Sequence, residues 1–474
     1  MNKALLAVAG VAVVGGIYYV STTGGSGVSL PSLSTSELST LVKSQTAGYE
    51  ADGFKISETD GVFTLQAADE TKVRAFLFKK FTAMLPKSYN ASLNPLKQEF
   101  LNVKRESLVG LEFDMKVIDT DEGAKLEVIL TKLPSKLQKN LENAPKAKWF
   151  KDILDKGAFA YELSMDKKGT VNGIALKDIK EHIEIDKSTV VDAEVSGVWA
   201  KFSGDVNAKF TMQEAVKIIS LNVKDNNTFL GLTVNNIKGN VEQTTPFDQV
   251  ASSSIERITF DMEKRNKFIK FLMNGIAVQT KTESKDGFIN STIAVDVHKA
   301  DYKLTRRGKV QADAVVDDFK FSLTGKHISK KAALALQDLS VSANPQADMG
   351  ALMVAMESML KSGLSLDVDA LNVKKLGFAT PFLKLELKDF AFNLHAQLKE
   401  NSLNMNMGSP MQYIPFIRVN ARLALNSEDL DKLVAMQPMA GMLVNMKKVE
   451  GDLAVFELVF ENGQVTVNGN ALPF

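Results

Sequence analysis

The chain has 474 residues, with 57 Lys and Arg against 56 Asp and Glu, a net charge of +1, and 45% hydrophobic residues. So even a balance gives no basic field for nucleic acid, and the usage is that of an ordinary globular chain. Cysteine is absent, which excludes disulfides, thiolate metal sites, iron–sulfur clusters and cysteine nucleophiles. A cysteine-free exported chain fits a bacterial periplasm.

Met1-Asn2-Lys3 carries one positive side chain, and Ala4 to Val20 then runs without a charge. At 1.5 Å rise per residue this run makes a helix of about 25 Å, close to the thickness of a hydrocarbon layer. Tyr18 and Tyr19 suit the interfacial belt, and the exit Val20-Ser21-Thr22-Thr23-Gly24 has no Ala-x-Ala cleavage site. The pattern predicts an uncleaved N-terminal transmembrane helix over residues 1–22. Lys3 is the sole cation before Lys43, so the N-terminus belongs in the cytoplasm and the rest across the membrane. Residues 23–45, rich in Ser, Thr and Gly, read as a flexible linker. Residues 46–474 read as one β-rich periplasmic domain, with two subdomains divided near residue 340 as a further expectation.

Asp69 is placed to cap a helix with Val73, Phe76, Leu77, Phe81 and Met84 on one stripe. Leu137–Leu141 and Trp149–Leu154 predict a helical pair broken around Pro145. Lys168-Gly169 is a weak hairpin signal between Tyr161–Met165 and Val171–Ile174. His182, Glu184 and Asp186 alternate with Ile183 and Ile185, so they are expected on one strand face. An imidazole and two carboxylates at that spacing have the chemistry of a metal site, but the commoner fate of such a pattern is the wet face of an amphipathic strand. Asp296 and His298 repeat the geometry. His327 reads as an exposed turn residue, and His395 as lying on the polar side of its strand. No metal and no cofactor are expected.

Asn235-Asn236-Ile237, Asp317-Asp318-Phe319 and Lys388-Asp389-Phe390 form a loose recurrence, each placing Asn or Asp before an apolar residue that opens or continues an alternating stretch. Asn344-Pro345 starts a helix that Gly363 ends, its inner stripe running from Met349 through Met353 and Met356 to Met359. Alternation of period two then marks 364–370, 383–387, 390–398 and 417–423 as strands with one apolar and one wet face. A last helix starts near Asn426 or Ser427 and carries Leu430, Leu433, Val434 and Leu443. Leu453–Phe460 and Gln464–Asn468 flank Asn462-Gly463, the strongest short hairpin signal. The whole predicts a mainly β chain with a few helices (α+β), a long, curved antiparallel sheet covered by amphipathic helices.

Methionine is adaptable, so Met349, Met353, Met356, Met359, Met436, Met439 and Met442 are candidates for an apolar ligand or partner surface, against the plainer role of core packing. Nucleophile-elbow, phosphate-loop and zincin motifs are absent from the sequence. The start Met1–Val8 and, above all, the ending Phe460-Glu461-Asn462-Gly463-Gln464-Val465-Thr466-Val467-Asn468-Gly469 resemble the YdgA-like family of bacterial inner-membrane proteins, a domain of unknown function. The family's early His-Gly-Pro segment is not found. The resemblance implies an inner-membrane anchor, a periplasmic domain and self-association, and it carries over no catalytic residue. The resulting expectation is a non-enzymatic scaffold of the cell envelope, working through envelope proteins or a homo-oligomer, with lipid binding in a Phe/Leu/Met-lined sheet as the alternative.

Overall fold

Period-two alternation governs most of the chain. In β4 (Gly123–Lys132), Ala124, Leu126, Val128 and Leu130 are buried while their neighbours are not, the mark of a strand lying with one face on a core. The computed structural model describes residues 48–76, 108–121, 123–142, 148–166, 171–204, 209–245, 247–333, 354, 357–401, 410–436 and 444–472. Across them the protein is mainly β, its strand pairs antiparallel, with few helices. The predicted transmembrane helix and linker lie outside the described residues. No helix among the described residues is long and apolar enough to cross a membrane. The chain divides into two units, Met1–Asp205 with Met212–Asn226, and Val206–Thr211 with Asn227–Phe474. Residue 340 lies outside the described residues.

In the first unit β1 (Phe54–Thr59), β2 (Val62–Ala67), β3 (Glu112–Thr120), β4, β5 (Ala160–Asp166) and β6 (Val171–Leu176) pair in sequence order. β6 then pairs with β9 (Trp199–Gly204), while β8 (Val190–Ser196) takes β7 (Ile179–Glu184) on one side and β10 (Phe210–Asp225) on the other. Asp69 Oδ1 accepts from the Lys72 amide at 3.2 Å and opens the helical segment 70–76 as predicted, with Val73 fully buried. Helices α1 (Ser135–Glu142) and α2 (Lys148–Asp155) form the expected pair, with Leu137 and Leu154 packing into the cluster of Phe54, Leu111, Leu130 and Leu133. Leu77, Phe81, Met84 and Pro145 lie outside the described residues. β5 and β6 are paired as expected, their turn being outside the described residues.

The second unit is a meander of unusually long strands: β11 (Thr228–Thr245), β12 (Asp248–Lys264), β13 (Lys267–Lys285), β14 (Phe288–Arg306), β15 (Lys309–Ser329), β16 (Leu364–Ala379) and β17 (Lys384–Leu398). Strands in globular proteins usually run to about 10 residues; β13 and β14 have 19 each, about 65 Å at 3.4 Å per residue. The stretches 383–387 and 390–398, separate runs in the sequence pattern, are one strand. β18 (Ile417–Asn426) follows β17 and pairs with β20 (Leu453–Glu461). Between them α3 (Ser427–Met436) starts where predicted, the Glu428 amide donating to Asn426 Oδ1 at 3.0 Å. Its Leu430 is buried with Leu425, Ala454, Phe456 and Val467. β19 (Lys448–Glu450) and β21 (Gln464–Val467) pair with successive stretches of β20 along the edge that β18 leaves free. The Asn462-Gly463 hairpin forms with both residues at positive φ, 52° and 79°, the conformation a two-residue primed turn requires.

Candidate functional site

The His182 pattern yields only part of what the sequence predicted. His182 and Glu184 lie on β7, with His182 Nε2 3.9 Å from Glu184 Oε1. Asp186 does not join them, because its carboxylate accepts the amides of Ser188 and Thr189, both at 3.0 Å, and holds the turn before β8. The partner of His182 is Asp192, opposite on β8, with Nδ1 and Oδ1 2.6 Å apart. That hydrogen bond and the Asp192 charge push the imidazole up from its ordinary pKa. The three side chains are more than half exposed, and no group of three or more potential metal ligands occurs among the described residues.

A second arrangement was only partly visible in the sequence. Seven strands of the second unit each skip one residue in the ladder at the same level: Asn236, Glu256, Gly275, His298, Asp318, Lys374 and Asp389, from β11 to β17. The residue is at positive φ on alternate strands, 50° at Asn236, 62° at Gly275, 47° at Asp318 and 51° at Asp389. Gly, Asn and Asp are the residues that enter this region most readily. A cleft of about 320 Å³ opens over part of this seam, lined by the successive pairs His298-Lys299, Asp317-Asp318, Lys374-Lys375 and Lys388-Asp389. Neighbours in a regular strand point to opposite faces. Here both line one cleft, so the alternation slips by one place at the seam.

The slip decides which face is apolar. Below the seam, Val234, Ile258, Met273, Ala300, Val316, Leu376 and Leu387 are paired strand to strand. Above it, Ile237, Ile255, Ile276, Val297, Phe319, Val373 and Phe390 form a second such row. The two rows stand three residues apart on every strand, a spacing that regular alternation puts on opposite faces and the slip puts on the same one. Of these residues only Val373 is buried and Leu376 is exposed at 38%; the others are half-buried. An apolar face spanning seven strands results, most of its side chains half-exposed and Phe390 packing on the cluster around α3.

Across the polar side of the seam, Asn236 Nδ2 donates to Glu256, and His298 Nδ1 lies 2.8 Å from Asp318 Oδ1. Lys374 stands 3.8 Å from the same carboxylate. A Cβ on Gly275 would come within 2.9 Å of His298 Cβ. Glu386, facing Lys388 at 3.4 Å and Lys375 at 3.7 Å, is held below the usual carboxylate range by the Lys388 hydrogen bond and then the Lys375 charge. His298 thus belongs to the seam rather than to a pair with Asp296.

Above the seam Asp367 is the most buried carboxylate in this network, its side chain 7% exposed. It accepts from Lys326 Nζ at 2.7 Å and pairs with His395 on β17. Burial alone would push its carboxyl up; the hydrogen bonds from Lys326 and His395, and then their charges, outweigh it and leave the pKa lowered. Lys326 is raised in turn, by its hydrogen bond to Asp367 and that charge. His395 is on the polar side as expected. His327 is no turn residue: it lies inside β15 at φ 61° and stacks on Phe288 at 3.6 Å.

Of the methionines singled out by the sequence, Met359 is half-buried in the helical segment 357–361, its carbonyl accepting from Ser362 Oγ at 3.0 Å. Met436 ends α3. Met349, Met353, Met356, Met439 and Met442 lie outside the described residues. Met446 packs on the cluster around α3. The apolar face of β11 to β17 is signalled by apolar residues three apart on consecutive strands, flanking Asn, Asp or Gly on every second one.

The fold and this site define a class: a long-stranded antiparallel β protein whose sheet has an apolar face and a polar face crossed by a seam. A family described as bacterial protein of unknown function, DUF945, matches residues 159–474. The match takes in two thirds of the chain, and the chain belongs to that family. No match is found among curated proteins or among solved structures.

Proposed function

We propose that the protein is a membrane-tethered component of the bacterial envelope, with its sheet in the periplasm, and that it acts by binding rather than by catalysis. The apolar stretch before residue 22, the lack of cysteine and the likeness of both chain ends to the YdgA-like inner-membrane proteins support the tether and the compartment. The observation that carries the binding role is the apolar face of β11 to β17, left half-exposed on both sides of the seam. Such a face serves scaffolding, by docking an envelope protein or a second copy.

One observation favours lipid as a second reading. The pairs of the face toward the β12–β13 turn, Leu232, Phe260, Phe271, Tyr302, Ala314, Phe378 and Leu385, include one Tyr and no Trp or Arg. Protein interfaces are enriched in all three; acyl chains need none of them.

A photo-crosslinking side chain at Phe271 or Ile276, in intact cells, separates these readings. Scaffolding predicts discrete envelope proteins or a dimer, and lipid handling predicts crosslinked phospholipid. If both positions capture no more than Lys270 on the polar face, the binding role fails. Alkaline phosphatase fused after Phe474 is expected to be active; an inactive fusion would place the sheet in the wrong compartment.

A further inference from the structure

The second unit is not electrically uniform along its strands. Three turns lie at one end of the meander, joining β12 to β13, β14 to β15 and β16 to β17. The first holds Lys264, Arg265 and Lys267, and the second Arg306, Arg307 and Lys309, all exposed. The third ends at Lys384. No acidic residue falls within these turns; the nearest, Glu263, precedes Lys264. At the other end the β11–β12 turn closes on Asp248 and the β13–β14 turn holds Lys285 and Asp286. In a chain of net charge +1 this is a strong local segregation.

The register makes it sharper. Lys264 is paired directly with Lys267, Lys267 with Arg306, and Arg306 with Lys309. Four cations thus stand in one unbroken row across four strands. Like charges directly opposite destabilise a sheet, so folding alone gives no reason for the row, whereas an external anionic surface gives one.

The same end presents apolar groups. Phe382 is 98% exposed at the apex of its turn. The turn that carries it is fixed, with the Thr380 amide donating to the Leu383 carbonyl at 2.7 Å and the Leu383 amide to Thr380 Oγ1 at 3.1 Å. Phe268 and Val310 are exposed one residue beyond Lys267 and Lys309. Cations at headgroup level with an aromatic ring reaching past them match an anionic lipid interface. We infer that these three turns dock on the anionic surface of a phospholipid bilayer, with Phe382 entering the interface and the row Lys264, Lys267, Arg306 and Lys309 facing lipid phosphates. This contact is separate from the apolar face proposed above and from the N-terminal tether, and it survives the failure of either.

Because the chain has no cysteine, one introduced thiol is labelled uniquely. The full chain, with Pro381→Cys carrying an environment-sensitive dye, is mixed with vesicles of phosphatidylcholine alone or with about a third phosphatidylglycerol, each containing a lipid-borne quencher. Quenching at least about threefold stronger in the anionic vesicles is expected, falling away as salt rises above physiological strength. A dye at Lys285→Cys, at the opposite end, is expected to show no such difference. Changing Lys264, Lys267, Arg306 and Lys309 together to Glu keeps a like-charged row while inverting its sign, and is expected to reduce the signal to that of neutral vesicles. Phe382→Ser is expected to lower it about twofold or more with the charges intact. Far-UV circular dichroism confirms that the variants are folded. Equal quenching in both vesicles, none in either, or full signal from the Glu variant overturns the inference. A response to an acidic polypeptide or to RNA without lipid contact does so as well.

Discussion

The two units use the same strand pattern and bury it differently. In the first, Phe63, Leu126, Leu133, Leu163 and Val73 are fully buried, closed in by neighbouring strands, α1, α2 and the segment 70–76. In the second, the large side chains buried to that degree among the described residues are Val455, on β20, and Asp429, in α3. Asp429 is satisfied there by the Lys388 amide and Lys432 Nζ, each at 2.8 Å. Away from that corner most apolar residues of the long strands are half-exposed, Ile289 and Val373 being buried. The comparison separates what a sheet needs in order to fold from what it holds available. The first unit spends its apolar surface on itself, while the second is held by long ladders and polar cross-strand pairs and leaves much of one face half-exposed.

The largest effects should fall in the first unit. Leu163→Ala, in the closed core, is expected to destabilise it by about 2–5 kcal/mol, against about 1 kcal/mol for Ile276→Ala on the open face. Denaturant unfolding followed by hydrogen exchange at each unit measures both. Equal losses would mean that the face is covered and the contrast is wrong.

Lys326→Met, which leaves the buried Asp367 carboxylate with His395 alone, should cost roughly 2 kcal/mol. Its pH dependence has a definite sign. Asp367 is depressed in the fold, so its contribution is present above the unfolded value of about 4 and is lost as pH falls through the lower folded value. In the variant that loss should begin at higher pH, seen as an acid-unfolding midpoint shifted upward; an unchanged midpoint would remove Asp367 from the account.

Gly275→Ala should cost about 1–2 kcal/mol, since the left-handed φ and the approach to His298 both oppose a Cβ. Asn236→Gly, at the same level, should stay within about 0.5 kcal/mol. A difference of the opposite sign would show that the seam is not set by backbone conformation. At the helix cap, Asp69→Ala should cost about 1 kcal/mol, read from thermal unfolding of the first unit.

Much of the architecture was legible because the pleat writes itself directly into the sequence. β16, β18, β20 and the Asn462-Gly463 turn follow from local alternation and turn chemistry, and α3 from its cap. The seam was legible only in fragments. Asn236, Asp318 and Asp389 stand in the three recurring triplets, but Glu256, His298 and Lys374 have ordinary strand conformations and are identified only by what lies opposite them. Gly275 is silent until its φ is known. The His182 reading failed at Asp186 because a short turn captured the carboxylate, a local competition that periodicity does not report. The apolar face depends on pairing across as many as seven strands, and no window along one strand contains it.

The left-handed residue recurs on β11, β13, β15 and β17 while the strands between them lack it. The modular element of this meander is therefore a hairpin rather than a strand. Growth or shrinkage by a single strand would set two like partners side by side at the seam and turn half of one strand inside out. Relatives of different size are thus expected to gain or lose strands in twos, and a one-residue deletion between residues 228 and 398 is expected to be tolerated in the turns and harmful beside the seam.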